Sequence, residues 1–202
     1  FFDVVAFTGT GSARTLNHNL EAVPELVIVK NRSNSTSWKI YTQSGGRTKY
    51  LNFADDAESS TTAGTLWGNT DFTSTQISLG DFGNTNQNNS GMVAYLFATL
   101  DAVSKVGSYT GTGSNINVDC AFTAGARFIL IKRTDSSGDW YVYDTTQGIV
   151  SGNDLWWLLN TTNAQVTNTD YIDPLNAGFT VTSSAPAALN ASGGTYLFLA
   201  IA

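Results

Sequence analysis

One short stretch of this sequence occurs twice, and that repetition constrains the fold more than any other feature. Phe7-Thr8-Gly9-Thr10-Gly11-Ser12 returns as Tyr109-Thr110-Gly111-Thr112-Gly113-Ser114, with only the aromatic residue exchanged. Further positions match at the same offset of about 102 residues: Lys30 with Lys132, Trp38 with Trp140, Tyr41 with Tyr143, Asn88 with Asn190, Ser90 with Ser192 and Gly91 with Gly193. This pattern indicates an internal duplication. We expect one module over residues 1–100 and a second over residues 104–202.

Both modules are predicted to be built from strands. Leu26-Val27-Ile28-Val29 and Phe128-Ile129-Leu130-Ile131 are continuous apolar runs, typical of strands that are buried on both faces. No stretch carries apolar residues at helical spacing, so we expect about seven strands in each module and no helix. We therefore predict an all-β protein of two tandem antiparallel β-sandwich modules, jelly-roll or immunoglobulin-like, related by internal duplication. The repeated core is expected to contain Trp38, Trp140, Ile28 and Leu130.

Composition disfavours several classes of function. The net charge of −6 argues against a nucleic-acid partner, because affinity for nucleic acid comes largely from neutralising phosphates. It also argues against a polybasic membrane contact, and no apolar run is long enough for a transmembrane helix. Cys120 is the only cysteine, so an internal disulfide is not possible. Because the sequence starts at Phe1 within a predicted strand, we expect it to be part of a longer or processed polypeptide.

Few residues have the chemistry that catalysis needs. A hydrolytic triad would require His18, the only histidine, yet the second copy carries Cys120 at the corresponding position. One histidine and one cysteine do not make a zinc site. Gly9-Thr10-Gly11 resembles a fragment of a phosphate-binding loop, but no helix, third glycine or lysine completes it. We interpret His18 and Cys120 as structural residues.

Carboxylates are the remaining catalytic or metal-binding candidates. Asp55, Asp56 and Glu58 cluster in the first half, but no acidic cluster stands at the matching place in the second half. The loop from Asp135 to Asp139 could bind Ca²⁺, although its spacing is not that of an EF-hand and the first copy carries Ser33 to Ser37 instead. We therefore predict no enzymatic activity, no metal site and no cofactor.

Three tryptophans lie in segments that the two copies do not share. Trp67 stands in an acidic, Ser/Thr-rich and irregular segment from Ala54 to Asp71. Trp156 and Trp157 are adjacent, and adjacent strand residues face opposite sides of a sheet, so one of the two is expected to be exposed. An exposed tryptophan could anchor a protein interface or stack on a sugar ring, and burial in the core is the third alternative.

Four segments of the second half carry a family resemblance: Tyr109–Ser114, Phe128–Asp135, Trp140–Asp144 and Asn190–Tyr196. Together they resemble a repeated β domain of unknown function that occurs in tandem in tail, tail-fibre and other structural proteins of marine and cyanobacterial bacteriophages. The resemblance extends from about Asp3 to Ala202 and is weaker in the first half, where Thr42 replaces Asp144. It implies a β-sandwich fold and a location in the virion, and it supplies no catalytic residue.

The expected function is that of a non-enzymatic virion structural protein. We expect it to be tail- or fibre-associated, with other virion proteins as partners, contact with a host-surface glycan as a further possibility, and assembly into a homo-oligomer. A capsid decoration protein and a carbohydrate-binding module are the alternatives, and a glycan-cleaving enzyme is the least favoured.

Overall fold

The computed structural model describes all 202 residues, and almost all of its regular structure is antiparallel strand. Two compact units make up the chain: unit 1 contains Phe1–Phe53 and Glu58–Ala98, and unit 2 contains Ala54–Ala57 and Thr99–Ala202. The prediction of an all-β protein is confirmed. The expectation that no helix forms is wrong, because two four-residue α-helices and a short 3-10 helix at Gly46–Thr48 are present.

Unit 1 contains eight strands and one α-helix. They are β1 (Phe2–Thr8), β2 (Arg14–Asn17), β3 (Leu26–Asn31), β4 (Lys39–Thr42), β5 (Lys49–Tyr50), β6 (Ser59–Ser60), β7 (Gln76–Leu79), α1 (Gly83–Asn86) and β8 (Gly91–Phe97). A four-stranded sheet has the order β1-β8-β3-β4, and the pairs β2-β7 and β5-β6 form two smaller sheets. The continuously apolar β3 lies between β8 and β4, as expected of a buried inner strand.

The core of unit 1 lies between the four-stranded sheet and the β2-β7 pair. Alternate residues of the larger sheet, including Val27, Val29 and Leu96, enter one apolar cluster with Leu16 and Ile77 from the smaller sheet. Because strand side chains alternate between faces, these residues share the inner face of each sheet. Unit 1 is therefore sandwich-like.

Unit 2 contains nine strands and one α-helix. They are β9 (Ser104–Thr110), β10 (Ile116–Asp119), β11 (Phe128–Arg133), β12 (Trp140–Asp144), β13 (Asp154–Leu158), β14 (Val166–Thr169), β15 (Ile172–Leu175), β16 (Gly178–Val181), α2 (Ala187–Asn190) and β17 (Thr195–Ile201). A six-stranded sheet has the order β14-β13-β12-β11-β17-β9, and a three-stranded sheet has the order β10-β16-β15. Ile129, Ile131 and Phe198 of the larger sheet share a core cluster with Val118 and Phe179 of the smaller one.

The strand order of unit 1 recurs within unit 2. The order β1-β8-β3-β4 has its counterpart in β9-β17-β11-β12, and the pair β2-β7 has its counterpart in β10-β16. Unit 2 extends these sheets with β13, β14 and β15. In unit 1, Trp67 bridges Leu79 at the place where β15 pairs with β16 in unit 2.

The four residues expected in the repeated core do not behave alike. Trp140 is fully buried, and Ile28 and Leu130 are also buried, on the sheet faces turned away from the two core clusters. Trp38 is only half-buried, so its assignment to the core is wrong. It precedes β4, and its ring packs against Phe53 and Tyr95, with centroid distances of 5.4 and 6.4 Å.

Candidate functional site

Trp67 is a core residue, and the prediction that it contacts a partner or a glycan is wrong. Its side chain is 0% exposed, and its indole N–H donates to the Lys49 carbonyl at 2.9 Å. The rings of Tyr41 and Phe72 pack edge-on against it, at centroid distances of 5.6 and 6.5 Å. A buried and satisfied indole has no surface to offer to a ligand.

The adjacent tryptophans Trp156 and Trp157 are divided by the sheet. Trp156 is buried between Tyr141 and Tyr171, and its indole N–H donates to Thr169 Oγ1 at 2.7 Å. The predicted surface contact is therefore wrong for Trp156 as well. Trp157 pairs with Val142 and is half-buried, which leaves it as the one of the three tryptophans with accessible surface.

A buried asparagine explains why the Thr-Gly-Thr-Gly-Ser stretch is repeated. In unit 1, Asn86 at the end of α1 accepts a hydrogen bond from the Thr10 N–H at 2.9 Å. Its side-chain N–H₂ donates to the carbonyls of Ser12 and Gly80, at 2.7 and 2.8 Å. A buried asparagine is thus bonded to the backbone of the turn that the Thr-Gly-Thr-Gly-Ser stretch forms. We call this arrangement the asparagine clasp.

Unit 2 contains the same clasp around Asn190, at the end of α2. Its Oδ1 accepts the N–H groups of Thr112 and Gly113, at 3.0 and 3.1 Å. Its Nδ2 donates to the carbonyls of Ser114 and Thr182, both at 2.9 Å. The turn N–H groups that would face an anion in a phosphate loop are thus used within the fold.

The glycine that opens each turn is required by a close approach of two backbones. A Cβ at Gly9 would lie 2.1 Å from the Gln87 carbonyl oxygen, and a Cβ at Gly111 would lie 2.2 Å from that of Ala191. These distances are far below van der Waals contact.

The residue of unit 1 that corresponds to Asn190 in the structure is Asn86, and not Asn88. The sequence match is shifted because the loop before α2 (residues 182–186) is two residues longer than the loop before α1 (residues 80–82).

The repeated lysines hold the hairpin loops. The ammonium group of Lys30 donates to the Thr36 carbonyl, and that of Lys132 donates to the Gly138 carbonyl. Burial lowers the pKa of the Lys132 ammonium to about 8, although the nearby carboxylates of Asp56, Asp139 and Asp55 oppose the shift. Sequence comparison matched these lysines without indicating this role.

The histidine and the cysteine are held in structural positions. His18 Nδ1 accepts the Leu20 N–H at 3.2 Å, and Nε2 lies 3.2 Å from the Thr73 carbonyl oxygen, which it bonds as the donor. Burial lowers the pKa of His18 and raises that of the Cys120 thiol to about 12. A thiol with so high a pKa stays protonated and is a poor nucleophile.

The carboxylates of the loop from Asp135 to Asp139 are used in contacts within the protein. Asp135 forms a bidentate pair with Arg133, with two N–O distances of 3.0 Å, and also accepts the Thr195 N–H. The hydrogen bond from Arg133 lowers the pKa of Asp135 to about 2. Asp139 accepts a hydrogen bond from the Asn160 side chain at 2.8 Å.

Asp154 is the most deeply buried carboxylate of unit 2. It is 0% exposed and accepts backbone N–H groups from Ile172 at 2.8 Å, Val150 at 3.2 Å and Tyr171 at 3.3 Å. Burial raises its pKa to about 6, even though these three donors favour the charged form. Asp154 therefore organises the loops on either side of β13 and β14.

An open cavity of about 210 Å³ lies in unit 1. Its lining combines two aromatic rings, three hydroxyls, an ammonium group and one aliphatic side chain, contributed by Tyr50, Phe82, Ser60, Thr61, Thr65, Lys39 and Leu66. Four of these residues belong to the segment from Ala54 to Asp71 that the second half does not share. The sequence indicated only that this segment is variable and rich in Ser and Thr.

The polar groups of the cavity are positioned by short contacts. The Lys39 ammonium lies 4.2 Å from the centroid of the Tyr50 ring and donates to Asn52 Oδ1 at 2.8 Å. Phe82 is 42% exposed, whereas Leu66 is buried. The cavity therefore presents an accessible ring and several hydrogen-bonding groups above an apolar base, which is the usual composition of a small-ligand site.

These observations define an antiparallel all-β protein whose repeated residues stabilise its backbone. The chain belongs to the family described as a domain of unknown function, DUF7483, which matches residues 1–202. No curated protein and no solved structure shows significant similarity to the chain. None of the helices has the length and apolar character needed to span a membrane.

Proposed function

We propose that this chain is a non-enzymatic structural protein of a bacteriophage particle, associated with the tail or a tail fibre. We further propose that its two units are tandem β-sandwich modules, of the jelly-roll or immunoglobulin-like kind, that arose by duplication of one ancestral module. The observation that carries the duplication is the asparagine clasp, because Asn86 and Asn190 bond the same turn through the same atoms. Two unrelated sandwiches would have no reason to share it.

A structural role is supported by the use that the fold makes of its reactive groups. Lys132 bonds a hairpin carbonyl, Asp154 bonds three backbone N–H groups, and His18 bonds the loop near Thr73. Perturbed pKa values are common at catalytic sites, but buried structural networks produce them too. Here each of these three groups has a backbone partner that accounts for its position.

A location in the virion is supported by the resemblance of four segments to a phage structural domain. In such a particle, the partners would be other virion proteins and further copies of the same chain. An accessible Trp157 is the tryptophan suited to such a contact, since exposed aromatic residues often dominate protein interfaces.

Immunogold electron microscopy of phage particles, with antibodies raised against the chain, tests this proposal. We expect label on the tail or its fibres. Label confined to the capsid shell would replace the proposal with the capsid decoration alternative. Purified particles that carry no label and contain no peptide of the chain by mass spectrometry would refute the virion role.

A further inference from the structure

We propose that the cavity of unit 1 binds one neutral pyranose ring of a carbohydrate. This site differs from the tryptophans that the sequence suggested for glycan contact. The proposal goes beyond the virion role and does not depend on it, because binding is a property of the chain itself.

Aromatic surface is the first observation that favours a sugar. The C–H face of a pyranose packs on aromatic rings, while its hydroxyls point outward to polar partners. Phe82 lines the cavity and keeps 42% of its surface exposed, so its ring is accessible to a ligand. Tyr50 supplies a second ring, held by the Lys39 ammonium at 4.2 Å.

Available hydroxyls are the second observation. Ser60, Thr61 and Thr65 line the cavity, and none of their hydroxyls is hydrogen-bonded to another group of the protein. Hydroxyl groups both donate and accept, as the hydroxyls of a sugar do. Three such groups beside two rings match a polyhydroxylated ring better than they match an apolar ligand.

The volume of the cavity and the charge of its lining restrict the class of ligand further. The cavity of about 210 Å³ is smaller than the roughly 300–1,000 Å³ of typical ligand pockets. It therefore suits a single ring, and we expect weak binding in the millimolar range. Lys39 is the only charged lining residue, and it already contacts Asn52 and Tyr50, so the lining favours a neutral sugar over a polyanion.

Nuclear magnetic resonance on the complete 202-residue chain tests the proposal. The probes are methyl α-D-glucopyranoside, methyl β-D-galactopyranoside and N-acetyl-D-glucosamine, with glycerol as a hydroxylated compound that lacks a ring. We expect at least one of the sugars to show saturation transfer and to shift the backbone amides of Thr61, Thr65 and Leu66. If none of the three sugars binds at millimolar concentration, or if glycerol produces the same shifts, the proposal is overturned.

Matched variants identify the site. Phe82→Ala is expected to weaken binding about fivefold through lost stacking, and Thr61→Val about fivefold through a lost hydrogen bond. The controls are Thr62→Val, an exposed threonine outside the cavity, and Leu159→Ala, an exposed apolar residue of unit 2. Unchanged binding in both cavity variants, or equal weakening in the controls, would overturn the assignment.

Discussion

The asparagine clasp makes a quantitative prediction about stability. Asn190→Ala removes four hydrogen bonds, and Asn86→Ala removes three of 2.9 Å or less. At about 1 kcal/mol of net stabilisation for each bond, we expect the free energy of unfolding to fall by about 4 and about 3 kcal/mol respectively. Both asparagines are buried, and so are their bonds to the Gly80 and Thr182 carbonyls, which water would replace poorly after the substitution.

Asn88 provides the matched control. Sequence comparison pairs Asn88 with Asn190, but Asn88 is exposed and its side chain makes no hydrogen bond within the chain. Asn88→Ala should therefore change the free energy of unfolding by less than about 0.5 kcal/mol. Urea unfolding followed by circular dichroism measures all three variants, with an unchanged m-value as the sign that only stability has changed.

A conservative substitution separates the acceptor from the donor. Asn190→Asp keeps the oxygen that accepts two N–H groups but places a carboxylate oxygen against the Ser114 and Thr182 carbonyls. The folded-state pKa of the introduced carboxyl should rise, so this variant is most stable below about pH 4 and loses stability as the pH rises. The reasoning would be refuted if Asn86→Ala and Asn190→Ala stayed within about 0.5 kcal/mol of the unmodified chain, or if Asn88→Ala lost as much as they do.

Three further predictions concern separate parts of the structure. Gly111→Ala places a Cβ 2.2 Å from a backbone carbonyl oxygen, whereas the Cβ of Gly113→Ala meets no atom within 4 Å and is disfavoured only by the φ of +73°. Thermal unfolding should show that the free energy of unfolding falls by about 3 kcal/mol for Gly111→Ala and by about 1 kcal/mol for Gly113→Ala. Burial raises the pKa of Asp154 to about 6, so the folded chain binds a proton more tightly than the unfolded one. The free energy of unfolding should fall by up to about 3 kcal/mol from about pH 4 to about pH 6. The test compares the free energies of unfolding of the unmodified chain and of Asp154→Asn over this pH range. A difference between the two that stays constant with pH would contradict the prediction. Trp67→Ala should cost about 4 kcal/mol in urea unfolding and Trp157→Ala about 1 kcal/mol, and equal losses would contradict their assigned burial.

The elements that the sequence predicted well are those with local patterns. The apolar runs within β3 and β11 required inner strands, and the structure places both between two neighbours. The short helices α1 and α2 were missed because a single turn carries no periodic apolar pattern. Each ends in an asparagine whose bonds reach residues more than 70 positions away, so tertiary contacts hold these turns.

The candidate site also depends on tertiary contacts that local sequence patterns do not indicate. Trp67 lies in a segment without strand-like alternation, and its bridge to Leu79 and its indole bond to the Lys49 carbonyl hold it in the core. Trp38 stands at a strand end rather than within the strand, so alternation with Ile40 gave the wrong burial. The cavity joins residues from β4, β5, β6 and the loop before α1, and no short sequence window contains them.

The asparagine clasp joins residues that are 76 positions apart in unit 1 and 78 apart in unit 2, near the two ends of each unit. The same clasp is therefore compatible with different segments between these positions. Unit 1 uses the intervening length for the cavity, and unit 2 uses it for β13, β14 and β15. An exposed loop of unit 1 should therefore tolerate an insertion, and we expect a foreign peptide grafted near Thr62 to be displayed while the clasp of unit 1 stays intact.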